Sequence, residues 1–321
     1  MREAIRGPVR RAAEAVGPAS SLAVTCHVNP DGDALGSAIG FALAARAAGK
    51  NAVVSFGGAF VVPDTYRFLD LSPLVDPSQF PAEADAAVVF DAAGPDRLGD
   101  LAAAVRGART VVVVDHHVTN EGFGDVSVID PGAAASAQLA YYLIDELGWP
   151  IDRSVAEALL AGIVTDTGRF QYSSTDAEVM RVAGVLCERG GRPEVIGQAV
   201  YESVPFGYLA VSSAVLGRAE LDLRRSFVWS VLWDADLEAA GIGATDVDGL
   251  IDDIRIVREA EAAALLKQVP GGFKVSLRGR GAVDVGAVAS AFGGGGHHNA
   301  AGFTTSDGIE AIIAGIAERL G

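Results

Sequence analysis

The sequence predicts an α/β protein: a parallel, doubly wound sheet in the N-terminal part, followed by a smaller α/β domain. Three observations carry this. Four short β-rich runs in the first 115 residues are apolar without alternation, as strands covered on both faces are. Helical stretches separate them, and strand–helix alternation argues a parallel sheet. The last hundred residues change pattern, to longer strands, a hairpin signal and a glycine run.

In chain order, residues 1–17 (MREAIRGPVRRAAEAVG) have regular apolar spacing and read as an amphipathic helix. Candidate strands follow at 22–26 (LAVTC), 52–56 (AVVSF), 86–90 (AAVVF) and 110–114 (TVVVV), with helices at 34–49 and 94–107 between them. From about residue 133 the chain turns helical, through AAASAQLAYYLIDELG and SVAEALLAGIVTDTG. Thr175 with Glu178 three residues on has the form of a capping box opening a third helix. Residues 188–194 (ERGGRPE) are a turn, and a helical connection runs to about 217. Residues 225–233 read as a strand. Residues 254–269 and 271–280 read as a strand pair turning at Pro270–Gly272, followed by a helix, the glycine run and a final helix near 307–319. The expected organisation is a catalytic domain over 1–190, a helical linker over 191–217 and a second domain over 218–321.

Composition narrows the function classes. Half the 321 residues are apolar, enough for a sizeable core, yet no apolar run approaches the roughly 20 residues that span a bilayer. The charged N-terminus has no apolar h-region, so no secretory signal is expected. The two cysteines, Cys26 and Cys187, form no CxxC pair, and a reducing, cytoplasmic setting is expected. A net charge of −16 argues against a broad basic surface gripping long duplex nucleic acid. It leaves room for a small phosphorylated substrate, because a metal cluster and a few arginines override the global field locally.

The five histidines lie in three places: His27 in CHVNPDGD, His116 and His117 in VVVVDHH, and His297 and His298 in FGGGGHH. The first strand delivers His27 and a loop with Asp31 and Asp33. The third delivers Asp91, and the fourth Asp115, His116 and His117. GIVTDTGRF adds Asp166 after an apolar helical run. Loops following strands are where open α/β sheets place ligands. Taken singly, Asp31 and Asp33 fit a polar turn, Asp91 an N-cap and Asp166 a carboxylate bonded to backbone. A shared role explains why they end successive elements. Mixed oxygen and imidazole donors suit ions such as Mn(II). Six or seven donors suit two ions, an arrangement that clamps the attacking and leaving oxygens of a displacement at phosphorus. Asp115 fits the orienting of an imidazole. In FGGGGHHNAAG, Gly295 and Gly296 expose backbone N–H groups, and His297 and Asn299 follow. Arg278 on the preceding strand is the preferred bidentate phosphate partner. His298 is expected to face solvent.

These residues resemble a known family. CHVNPDGDALGS, VVFDAAG, VVVVDHHVTN and GIVTDTGRF are similar, in order, to the four metal-binding motifs of the DHH phosphoesterases. FGGGGHHNAAG with the upstream arginine resembles the DHH-associated substrate-binding domain. Together they span about residues 20–305, and the chain looks most like the short, two-domain, NrnA-like nanoRNase/pAp phosphatase group, which includes cyclic dinucleotide phosphodiesterases. The resemblance implies two Mn(II) ions, with Mg(II) or Co(II) as substitutes. His27, Asp31 and Asp91 would hold one; Asp33, Asp91, His116 and Asp166 the other, with Asp91 shared. His117 would face the scissile phosphate, and Arg278 and His297 would bind a distal phosphate. Substrates would be short oligoribonucleotides, pAp or cyclic dinucleotides, and the enzyme a homodimer without membrane association. Two positions depart from the pattern. Gly279 stands where the family often has serine, and Arg169 stands where many members carry a smaller residue, either adding a phosphate contact or simply being exposed. The alternatives are an exopolyphosphatase, a RecJ-type exonuclease, a family II pyrophosphatase and a non-enzymatic nucleotide-binding regulator.

Overall fold

The computed structural model describes residues 1–320, which divide into a first unit, Met1–Glu202, and a second beginning at Ser203. The division falls inside the stretch expected to be a linker.

The first unit runs α1 (Glu3–Val16), β1 (Ser21–Thr25), α2 (Gly32–Ala47), β2 (Asn51–Ser55), β3 (Ala86–Phe90), α3 (Ala102–Gly107), β4 (Val111–Asp115), β5 (Val126–Ile129), α4 (Ser136–Glu146), α5 (Arg153–Asp166), α6 (Ala177–Glu188) and α7 (Pro193–Tyr201). Its five strands are all parallel, in the order β2–β1–β3–β4–β5. The order reverses between β1 and β3, which puts a crevice at their carboxyl ends. Both faces are covered. Leu22, Val24, Val88, Phe90, Val112 and Val114 pack into one core beneath α1, α2, α4 and α5, while Ala23, Ala87, Val89 and Val113 pack into another with Leu98, Leu101 and Val105. This two-sided burial is why the strands show no alternation.

Three local expectations are corrected. β5 was not expected, since VSVI is short and partly exposed. The helix expected over 94–107 is a 3-10 segment, Pro95–Leu101, joined to the short α3, with a break at Gly99, where φ is +57°. The cap of α6 is Asp176 rather than Thr175: its carboxylate accepts from the amides of Glu178 and Val179. An aspartate beside the helix start supplies a charged acceptor, which suits the helix dipole.

The second unit runs α8 (Gly207–Gly217), β6 (Glu220–Asp222), β7 (Phe227–Leu232), α9 (Asp234–Ala240), α10 (Leu250–Ile254), β8 (Ala262–Val269), β9 (Gly272–Gly279), α11 (Val285–Ser290), β10 (Gly295–His297), β11 (Ala300–Thr305) and α12 (Ile309–Leu320). Its six strands lie in the order β10–β11–β9–β8–β7–β6, antiparallel except for β7 with β8. The strand expected from residue 254 starts only at Ala262. Ile254 instead ends α10, where it is buried with Leu250 and Ile251 against the β7–β8 face. In the glycine run, Gly295, Gly296 and His297 form an edge strand that pairs with Gly302, Ala301 and Ala300, and Gly295 and Gly296 are exposed.

Candidate metal centre

All the candidate donors of the first unit gather at the carboxyl end of its sheet. β1 leads through Cys26 to His27, β3 runs directly into Asp91, and β4 ends in Asp115 with His116 and His117 following. Asn29 and Asp91 adopt φ of +53° and +55°. Such left-handed non-glycine residues cost about 1–3 kcal/mol and collect at functional sites. Asp31 caps α2 by accepting from the amides of Asp33 and Ala34 through Oδ1. Its Oδ2 lies 3.8 Å from His27 Nε2. Asp33 sits in the first turn of α2, and Asp166 ends α5.

Among the candidate donor groups, two contain the expected ligands and share the Asp91 carboxylate. His27, Asp31 and Asp91 make the first; Asp33, Asp91 and His116 make the second. His27 Nε2 is 3.5 Å from Asp91 Oδ2, whereas His116 Nε2 is 3.5 Å from Asp91 Oδ1. The two Asp91 oxygens therefore face different pockets. His116 Nε2 also lies 3.7 Å from Asp33 Oδ2 and 3.4 Å from Asp166 Oδ2.

The donor set fits divalent ions on two counts. Both imidazoles are anchored through Nδ1 on a backbone carbonyl: His27 on Val28 at 2.8 Å and His116 on Ala133 at 3.2 Å. A carbonyl only accepts, so Nδ1 carries the proton and Nε2 keeps the lone pair that a metal needs. Second, the 3.4–3.8 Å separations are long for hydrogen-bonded ion pairs. Ligand atoms each about 2.1 Å from a common ion would lie about 3.0–3.4 Å apart, close to what is seen.

Electrostatics point the same way. Burial pushes the Asp33 carboxyl well up, with the Asp91 charge adding to it. Burial, opposed by His116 but reinforced by Asp91 and Asp31, pushes Asp166 up to about 7. Burial disfavours the charged form of His27, yet its bonds to Asp31 and Asp91 win and raise it to about 11. Asp91 is likewise held well down, despite burial, by His116 and His27. Protons here stand in for positive charge that the carboxylates require.

Asp115 is fully buried and accepts from His117 Nδ1 at 2.8 Å through Oδ1. Its Oδ2 accepts from the Asn120 side-chain amide at 2.7 Å. Asn120 Nδ2 also donates to the Ala92 carbonyl, and its Oδ1 accepts from Gly122 N–H. Sequence reasoning missed Asn120; only its place in the polar turn after DHH marks it. It missed Ser136 too, which opens α4 and looks like any polar helix start. Ser136 Oγ donates to Asp91 Oδ1 at 2.9 Å, and the amides of Ser136 and Ala137 donate to the two oxygens of Asp33.

Arg169 is exposed, one of its two expected placements, with its guanidinium 4.6 Å above the Tyr201 ring. In the second unit, Arg278 on β9 is half-buried beside the β10–β11 hairpin that carries His297 and Asn299. Its Nε donates to Asp252 Oδ1 at 3.2 Å. Gly279 N–H donates to the Asn299 carbonyl. A Cβ at Gly279 would meet the Val283 carbonyl at 2.6 Å, so serine does not fit here without movement. His298 is exposed and lies 3.5 Å from Asp284.

The chain is similar to known proteins. Residues 21–163 match the DHH family N-terminal domain, and residues 228–321 match the DHHA1 domain. The chain is 33% identical over 306 residues to the bifunctional oligoribonuclease and PAP phosphatase NrnA of Thermus thermophilus, covering 92% of this chain and 89% of that protein. The crystal structure of an exopolyphosphatase-related protein from Bacteroides fragilis superposes with a TM-score of 0.90 at 22% identity, covering 100% of this chain and 97% of that one. RecJ of Thermus thermophilus, crystallised with Mn2+, superposes with a TM-score of 0.57 at 14% identity, covering 98% of this chain and 54% of that one.

Proposed function

This chain belongs to the DHH family of phosphoesterases, hydrolases of phosphate esters, and from that membership we propose that it cleaves short oligoribonucleotides to 5′-mononucleotides and pAp to AMP. The observation that carries the reading is the pair of donor groups sharing Asp91 at the strand ends. A site for two divalent ions fits a displacement at phosphorus. Relatives that cover most of this chain, and are covered by it, supply the substrate class.

His27, Asp31 and Asp91 would hold one ion, and Asp33, Asp91, His116 and Asp166 would hold the other; Mn(II) suits this oxygen and imidazole set, with Mg(II) or Co(II) as substitutes. When bound, the ions lower the pKa of water and polarise the phosphoryl group. The protein does the rest. Asp115, fastened by Asn120, holds His117 through Nδ1. Nε2 is then the ring atom that meets a phosphoryl oxygen and offsets charge developing there. Burial of Asp33, Asp91 and His116 keeps bulk water from the donors. In the second unit, Arg278, with His297, Asn299 and the Gly295–Gly296 strand, offers a second phosphate-recognising face. Arg169, stacked on Tyr201, is left as a peripheral contact. The enzyme acts in the cytoplasm, as a homodimer.

A turnover panel tests this. Purified protein with Mn(II) is offered pAp, pApA, cyclic di-AMP and polyphosphate, and released AMP or phosphate is measured. Turnover of pAp and pApA at rates well above polyphosphate is expected. Polyphosphate hydrolysis alone would favour the exopolyphosphatase reading, and cleavage of cyclic di-AMP would extend the substrate range. A metal-loaded protein inert toward all four refutes the proposal.

A further inference from the structure

Ser136 is fully buried, and its hydroxyl reaches the shared carboxylate. Its Oγ donates to Asp91 Oδ1 at 2.9 Å, the oxygen that faces the Asp33–His116 group. The other oxygen, Oδ2, faces His27. A carboxylate turns readily about its last bond, since that torsion is broad and two-fold. A donor on one oxygen fixes the turn. From this geometry we infer that Ser136 is a positioning residue: it locks the Asp91 carboxylate edge-on between the two donor groups, so that each receives one oxygen. The inference rests on the two-ion reading of the site.

The backbone around Ser136 supports the same role. The Ser136 amide donates to Asp33 Oδ2 at 2.6 Å and the Ala137 amide to Asp33 Oδ1 at 2.8 Å. The Ala133 carbonyl anchors His116 Nδ1. Residues 133–137 thus touch Asp33, Asp91 and His116, every member of the second group. Two of these three holds are main-chain and survive side-chain replacement. Only the hold on Asp91 depends on residue type. Ser136→Ala therefore removes the lock on the shared carboxylate and leaves Asp33 and His116 seated. The consequence is specific: with Asp91 able to turn, one group keeps a good ligand set and the other loses its share of Asp91.

The test is calorimetric titration of Mn(II) into metal-free wild type, Ser136→Ala and Ser37→Ala. Mn(II) electron paramagnetic resonance then separates spin-coupled pairs from isolated ions. Ser37 is the control, a buried hydroxyl on α2 that donates only to the carbonyls of Asp33 and Ala34. Wild type and Ser37→Ala are expected to bind two coupled ions. Ser136→Ala is expected to bind one ion about as tightly as wild type and the second about 10–100-fold more weakly, the range found for outer-sphere partners of metal ligands, with isolated-ion spectra at one equivalent. Ser136→Thr, which restores a hydroxyl, is expected to recover the pair. It also carries the test should the alanine chain not fold: a folded threonine chain that binds one ion overturns the inference. Two coupled ions of wild-type affinity in Ser136→Ala overturn it, as does an equal loss in Ser136→Ala and Ser37→Ala. Wild type that binds no pair refutes instead the two-ion reading itself.

Discussion

At the scale of single residues, the site is built by side chains that touch no substrate as much as by the donors. His117 is held by Asp115, and Asp115 by Asn120, in a buried chain whose members are bonded to one another. Asn120 fits its position in that chain by donating and accepting at once. It donates to Asp115 and to the Ala92 carbonyl while accepting from Gly122 N–H, and aspartate would put a second acceptor against Asp115. Asn120→Ala is expected to lower kcat on pAp by about 10–100-fold, as loss of an outer-shell partner does, with Mn(II) stoichiometry unchanged. Steady-state kinetics beside metal analysis check this; unaltered kcat removes Asn120 from the chain of support. The part of Asp115, a carboxylate orienting an imidazole, was legible in the sequence; that of Asn120 was not. A strand-ending Asp-His-His announces chemistry, whereas an asparagine three residues on reads as an ordinary turn residue.

Among the elements, the meeting of α2 and α5 decides whether Asp33 and Asp166 share a site. Asp33 opens α2 and Asp166 ends α5. The helices approach closely because glycine lies at their contact. A Cβ at Gly36 would come within 2.4 Å of the Ala158 carbonyl oxygen and 2.9 Å of the Gly162 nitrogen. One at Gly162 would meet Asp33 Oδ1 at 2.8 Å. Gly36→Ala gains helix propensity, about 1 kcal/mol, but forces backbone against backbone. We expect net destabilisation of about 1–3 kcal/mol, typical of overpacking, together with weaker Mn(II) binding as Asp33 and Asp166 are pushed apart. Thermal melts with and without Mn(II) check both; a variant at least as stable as wild type with unchanged metal binding would show that the close approach is dispensable. Glycines in ALGSAIG and LLAGIV are visible in the sequence, but which helix they face is not.

For the molecule as a whole, buried charge ties stability to pH and to metal. Asp166 has a folded pKa of about 7, above its ordinary value, so without metal the fold binds a proton that the unfolded chain releases. Its contribution is lost as pH rises from the ordinary carboxylate range through about 7. His27, raised to about 11, contributes stability below about 6.5 that is lost as pH rises toward that folded value. Asp91 is lowered and works oppositely, but its window closes at the ordinary carboxylate value, so it adds nothing to the slope above neutrality. The metal-free protein should therefore melt at lower temperature at pH 8.5 than at pH 6. Mn(II) supplies the positive charge that protons supplied, so the gap in Tm between metal-loaded and EDTA-treated protein should widen with pH. Scanning calorimetry at the two pH values checks it, and a gap independent of pH would remove the buried carboxylates as its source.

The chain alone determined the class of fold and the family, and it singled out the candidate donors that the structure gathers, because each depends on local pattern. Unalternating valine runs mean strands covered on both sides, and His27, Asp31, Asp33, Asp91, His116 and Asp166 stand where strands or helices end. Boundaries set by competition between neighbours were less readable: Asp176 displaced Thr175 as a cap, Ile254 went to a helix, and Gly295–His297 joined a ladder. Only the tertiary structure decided which Asp91 oxygen faces which histidine, and that Ser136, Asn120 and the α4 amides hold the donors in place. Those are contacts between residues up to about a hundred positions apart, made through space by packing, and no spacing along the chain encodes them.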